Sequence, residues 1–246
     1  MKKILALVLA LAMVLSLAAC SSTPAESAAP TDAPAESAEA PAESAEAPAA
    51  DEPSEINVCL ASEPDTIDPA LNSSVDGATL TAHLFSGLAK WAQDENGNLE
   101  IVADAATELP EGVTNDDGTV TYTYTLRDGM TWSDGQPVTA GDFAFAWTRA
   151  ASTELAADYG YMFEVVDGYA DVWATDDAGN YVNPDAELNV VALDDKTLQV
   201  TLANAVAYWN ELLAFPAYFP VREDVVANEA WATDPSTYVC NGPYTM

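Results

Sequence analysis

The chain has 246 residues, with 40 acidic against 7 basic side chains, one histidine and a net charge of −33. Such a chain is repelled by nucleic-acid phosphates and anionic headgroups, so no nucleic-acid partner is expected. His83 alone supplies neither a two-histidine metal set nor an H-E-x-x-H helix, and no Walker loop or G-x-S-x-G elbow occurs; no metal, cofactor or catalytic residue is assigned, and the chain is not read as an enzyme.

Lys2 and Lys3 precede an apolar run from Ile4 to Leu15, too short to span a bilayer and flanked as a signal peptide is, here 1–20. Leu17-Ala18-Ala19-Cys20 resembles a bacterial lipobox, in which the cysteine carries the lipid; the other reading is an ordinary cleavage site with a chance cysteine. Residues 21–54 are rich in Ala, Pro, Glu and Ser, with a near-repeat at 33–39 and 40–46. Without large apolar residues they bury too little surface to offset chain entropy, so a disordered linker is expected. A lipid at Cys20 would hold the folded part close to a membrane.

The remaining 192 residues (246 − 54) are enough for a sizeable core. Ile56–Leu60 reads as a short strand, and Ser62–Gly77 as a loop with two prolines. Thr79–Ala89 reads as a helix with Leu80, His83, Leu84 and Leu88 on one face, which makes His83 a core histidine. From Trp91 a strand-turn-strand follows, with the turn at Asp94-Glu95-Asn96-Gly97. The acids and amides of 94–98 alternate as in a Ca²⁺ loop, but Leu99 stands where that loop needs Gly and Ala105 where it needs Glu, so a plain turn is preferred.

Val120, Tyr122, Tyr124 and Leu126 alternate with threonines, the period-2 pattern of a half-buried strand. Asp128-Gly129 and Asp134-Gly135 supply turns. Thr139 with Asp142 forms a capping-box pattern for a helix over Thr139–Ser152, burying Phe143, Ala146, Trp147 and Ala150. Glu154–Tyr169 is mixed and aromatic, and 176–180 is a turn. Leu188–Leu202 is a hairpin around Asp194-Asp195, and Val206–Phe215 is a helix stopped by Pro216. The adjacent acids at 116–117, 176–177 and 194–195 point in different directions and do not suit general acid–base work. Strands and helices mix without a βαβ rhythm, so the fold class is α+β.

Five segments, in order, carry a resemblance. They are Glu63-Pro64-Asp65-Thr66-Ile67-Asp68-Pro69, Phe85-Ser86-Gly87-Leu88, Leu126-Arg127 with Trp132 through Phe143, Leu193 through Leu202, and Asn241-Gly242-Pro243-Tyr244. Together they are similar to the signature segments of the family 5 extracellular solute-binding proteins, the oligopeptide- and dipeptide-binding components of bacterial ABC importers. The W-S-D-G-x-P-V-T-A-x-D-F pattern is matched with Gln136 and Gly141 in the free positions.

The resemblance implies a periplasmic-binding-protein-like fold of type II. It implies an inserted smaller lobe over 86–213 and a partial first lobe from 55–85 and 214–246. Family members continue well past the last matched turn, so an incomplete fold is expected. The implied function is capture of oligopeptides or dipeptides by an exported, lipid-anchored monomer and delivery to an ABC permease in the membrane. The alternatives are a non-peptide ligand (a metal chelate, a sugar or haem) or a surface fragment that does not bind. By register with the family, Ser73, Ser74 and Val75 contact ligand backbone, and Tyr159 and Tyr161 face the cleft or simply pack the smaller lobe. Cys59 and Cys240 lie near pieces that belong to one domain in the family; they are either a disulfide of an exported chain or two small apolar residues in strands. The acidic surface either attracts cationic peptides or keeps an exported protein soluble.

Overall fold

The computed structural model describes residues 55–246; the expected signal peptide 1–20, the expected linker 21–54 and Cys20 lie outside the described residues. In chain order the elements are α1 (Val75–Leu84), β1 (Ala89–Gln93), β2 (Leu99–Ala103), β3 (Val113–Thr114) and β4 (Val120–Thr125). Then come α2 (Ala140–Ala151), a 3₁₀ turn at Gly160–Val165, α3 (Tyr169–Val172), β5 (Val190–Asp194), β6 (Thr197–Leu202), α4 (Trp209–Leu213), a 3₁₀ turn at Pro216–Tyr218 and α5 (Glu223–Val226). The mixture is α+β, with Asn57–Met246 forming one unit. No helix among the described residues is long and apolar enough to cross a membrane.

The threonine–aromatic alternation of 120–126 does build a strand. β4 pairs antiparallel with β6, Tyr122 opposite Val200 and Tyr124 opposite Leu198, in a four-stranded sheet ordered β3-β4-β6-β5. Tyr124, Leu198 and Val200 are buried on one face, as a two-residue period requires. A separate two-stranded sheet, β1-β2, closes through the Asp94–Gly97 turn. The Asp94 carboxylate accepts from Asn96 N, Asn98 N and Asn98 Nδ2, which holds it below the usual carboxylate range; it serves its own turn.

Helix α2 is the beam of the structure, contacting β5, β6, both 3₁₀ turns and α5. Its start explains the Trp132–Phe143 pattern residue by residue. Thr139 caps it, and Asp142 Oδ2 returns to Thr139 N at 2.8 Å, completing the capping box. The same carboxylate oxygen accepts the buried Trp132 indole N–H at 3.1 Å. Gly135 turns at φ +86°, Trp132 N donates to Gln136 O, and Asp134 receives Arg222 at 2.6 Å. The helix buries Phe143, Ala146, Trp147 and Ala150 as the spacing predicted, with Ala140 and Ala151 in addition.

Around Trp147 the core is aromatic. Trp147 Nε1 donates to Tyr218 O, Trp209 Nε1 to Tyr124 Oη, and Tyr218 Oη to Met162 O, all at 2.7–2.8 Å. Each polar edge of these buried rings is thereby satisfied, which removes the desolvation penalty of burying it. Burial pushes the Tyr124 and Tyr218 phenols up, so both stay neutral, Tyr124 accepting and Tyr218 donating.

The Asn241-Gly242 pair explains a second matched segment. The Asn241 amide accepts from Ser86 N and donates to Ser86 O, both at 3.0 Å, standing in for a strand beside the Phe85–Leu88 stretch. Gly242 N donates to Leu84 O, and a Cβ at Gly242 would lie 2.5 Å from the Leu84 carbonyl carbon.

Four expectations are corrected. Ile56–Leu60 forms no strand, although Ile56 and Val58 alternate; a strand exists only against a partner backbone, and no described strand pairs with it. The first helix starts at Val75 and ends at Leu84, so the residues buried by it are Gly77, Thr81 and Leu84, and His83 is exposed with Nδ1 2.7 Å from Thr79 O. The Val206–Phe215 helix shortens to Trp209–Leu213. Cys59 and Cys240 are free thiols, so the bridge is not formed. Cys59 is exposed, whereas Cys240 is buried with Ser133 Oγ on its backbone N–H and its Sγ 3.4 Å from Tyr244 O.

Two outcomes follow. Gly242→Ala should destabilise the fold by about 1–3 kcal/mol through backbone overlap, read as a lower urea midpoint. In a Cys20→Ser chain, a thiol reagent should label Cys59 at once and Cys240 only on unfolding, since burial raises the Cys240 thiol above its ordinary value; rapid labelling of both would contradict the buried position.

Candidate functional site

The loop before α1 is built around one carboxylate. Asp68 is almost wholly buried, and Arg149 in the last turn of α2 grips it with both guanidinium nitrogens, Nη2 to Oδ2 at 2.7 Å and Nη1 to Oδ1 at 3.2 Å. Oδ1 also accepts Ala70 N at 3.0 Å. The Asp68 carbonyl accepts Leu71 N and Asn72 N, Thr66 Oγ1 accepts Asp68 N, and Tyr238 Oη donates to Ile67 O. A paired, forked and fully bonded carboxylate is the form in which a buried charge is tolerated. Arg149 also sits at a helix C-terminus, where the macrodipole favours a cation.

From this knot the chain runs into 72–75. Asn72 Oδ1 accepts Ser74 N and Ser74 Oγ, and Asn72 Nδ2 donates to Ser74 O. Ser74 Oγ in turn caps α1 by accepting Gly77 N at 3.2 Å. Gly77 is required there, because a Cβ would lie 1.9 Å from Asn72 Oδ1 and 2.8 Å from Thr66 O. Of the three expected ligand contacts, the Ser74 side chain is therefore committed to the fold. Ser73 is exposed and forms no hydrogen bond among the described residues, and Val75 is 83% exposed at the first helical position, where the backbone N–H has no partner within the helix. Free main-chain groups on a rigid support are what a ligand recognised by its backbone needs.

Tyr159 is half-buried, edge-on to Phe215 at 4.9 Å, and Tyr161 is 54% exposed with its ring 6.3 Å from that of Tyr159. Tyr159 thus packs the fold, and Tyr161 presents its ring to solvent. No hydrogen bond or ring contact joins 73–75 to these tyrosines. The structure relates them through α2: Arg149 holds the Asp68 loop, and the next carbonyl, Ala150 O, lies 2.9 Å from where a Gly160 Cβ would stand, so the aromatic segment is seated on the same turn.

In the sequence Asp68 stands out only as part of a matched segment, and Arg149 belongs to no motif. The available signal was scarcity. Five cations lie in 55–246, and one of them falls on a helix otherwise burying apolar residues.

Comparison with known proteins agrees with the architecture. The model of the bacterial extracellular solute-binding proteins, family 5 Middle, matches residues 100–246. The chain belongs to this family. It is 34% identical over 194 residues to the oligopeptide-binding protein OppA of Bacillus subtilis, covering 78% of this chain and 33% of that protein. Among solved structures, Burkholderia pseudomallei OppA matches with a TM-score of 0.63 at 34% identity, over 76% of this chain and 34% of the other. Listeria monocytogenes OppA bound to peptide matches with a TM-score of 0.60 at 34% identity, over 73% and 33%. The chain therefore spans about one third of the length of its relatives, with the type II periplasmic-binding architecture over the matched part.

Breaking the buried pair on one side should be severe. Arg149→Met is expected to lose about 3–5 kcal/mol by stranding Asp68, and the Arg149→Met/Asp68→Leu double variant should recover much of it. Urea unfolding of the four members of the cycle measures this; additive losses would contradict a coupled pair.

Proposed function

We propose that this chain forms one wall of an extracytoplasmic solute-binding protein that captures oligopeptides or dipeptides for an ABC importer. Support comes from membership of the solute-binding family, and from relatives whose names specify oligopeptide and dipeptide binding. The single observation that carries the reading is local. The Val75 N–H and the Ser73 main chain find no partner among the described residues, both residues are exposed, and they are footed on the Arg149–Asp68 knot. A binder that accepts many sequences must read the main chain, and this is where main-chain groups are free. Tyr161 adds an exposed amphipathic ring suited to varied side chains.

On this proposal the chain makes and breaks no bond; it holds the ligand and presents it to a membrane permease. Residues 86–213 act as the smaller lobe, and 55–85 with 214–246 contribute to the first. The signal peptide 1–20 directs export, Cys20 carries a lipid anchor, and 21–54 is the tether of a monomer at the outer face of the membrane.

Amide shift mapping of the chain with millimolar tripeptide tests the reading. Shifts are expected at Ser73, Val75 and Tyr161, and Ser73→Pro, which deletes an N–H, should weaken them at least about fivefold. Shifts confined elsewhere, or equal shifts from a sugar or a metal chelate, would contradict it.

A further inference from the structure

Away from that loop lies a cleft of about 510 Å³, between the end of α1, the β1–β2 sheet and the Asn241–Pro243 turn. Its lining holds three charged residues, Lys90, Asp104 and Arg127. Lys90 Nζ reaches Asp104 Oδ1 at 2.8 Å, and Arg127 Nη2 reaches the same oxygen at 3.4 Å. Two of the five cations in 55–246 thus converge on a single buried carboxylate oxygen, in a chain of net charge −33. The shared acid neutralises one of them and leaves the cleft with an excess positive charge.

Both cations stay more than half exposed, and each spends only one side-chain donor on Asp104, so an ammonium and a guanidinium keep several N–H groups free. Beside them Trp91 is 52% exposed, and Phe85, Phe219 and Met130 make an apolar wall. The Ser86 backbone and the Asn241 amide satisfy each other, so the charged pair is what remains for a ligand.

We propose that this cleft is a binding site for a small organic monocarboxylate with an aromatic or alkyl body. The carboxylate lies across Lys90 and Arg127, and the body against Trp91 and Met130. One excess positive charge matches one carboxylate, and a forked guanidinium beside an ammonium is the donor set that recognises it. The volume is in the range of small-molecule sites. The assignment rests on this cleft alone and stands apart from the peptide reading of Ser73 and Val75.

Isothermal titration of the full chain with 3-phenylpropionate and with its neutral amide decides the matter. The acid should bind saturably with a Kd below about 1 mM, and the amide at least about tenfold more weakly. Lys90→Gln/Arg127→Gln should lose acid binding; it also deprives the buried Asp104 carboxylate of both cations, so its melting temperature should fall, and binding is read below that temperature. Equal binding of acid and amide, absence of saturable acid binding, or undiminished acid binding by the double variant would overturn the proposal. Should the double variant not fold, the acid–amide comparison on the native chain carries the decision alone.

Discussion

The Arg149–Asp68 ion pair is the constraint on which the candidate site depends. It joins residues 81 positions apart and ties a loop without regular secondary structure to the end of α2. Desolvating two charges is expensive, and the cost is offset here by fork geometry, by the Ala70 amide and by a helix C-terminus. The pair therefore specifies one arrangement more than it stabilises the fold as a whole. Remove the guanidinium, and a buried carboxylate keeps only the Ala70 amide.

Everything that holds α2 in place serves this pair indirectly. The capping box with the Trp132 indole fixes its start, and the Trp147–Tyr218 hydrogen bond fixes its middle. At its far end, the Asp68 loop and the Gly160 segment are set on consecutive residues. One rigid helix thus positions two surface segments that make no direct contact. That is how a fold can place a recognition loop to within the tolerance a ligand requires while leaving its outer groups exposed.

What the sequence made legible was local. The β4 alternation, the Thr139–Asp142 box, and the hairpins at Asp94–Gly97 and Asp194-Asp195 are each set by neighbours within a few residues, and each forms where expected. Order along the chain then made the family readable, because five short segments recur in sequence. What was missed depends on distant partners. Gly77 reads as a loop residue, yet it lies in the first turn of α1, since only glycine lets that turn lie against Asn72 and Thr66. His83 moves out of the core because the helix begins earlier and buries a different face. Ile56–Leu60 has a strand's pattern, but no described strand pairs with it. In the site, register pointed to Ser73, Ser74 and Val75, but not to the capping duty of Ser74 or to Arg149 as the support beneath them. The Lys90–Asp104–Arg127 cluster was invisible, since its members are far apart in the chain and share no motif.

Arg149 and Asp68 pre-shape the loop whose backbone is proposed to meet the ligand. Amide hydrogen exchange over 63–76, in the native chain and in Arg149→Met, with and without tripeptide, tests this most directly. The account predicts slow exchange at Ala70, Leu71 and Asn72 in the native chain and added protection at Ser73 and Val75 with peptide. In the variant the loop should exchange fast, with no peptide effect, while β4 and β6 remain protected. A variant in which 63–76 exchanges as slowly as in the native chain, or gains the same protection from peptide, would contradict it.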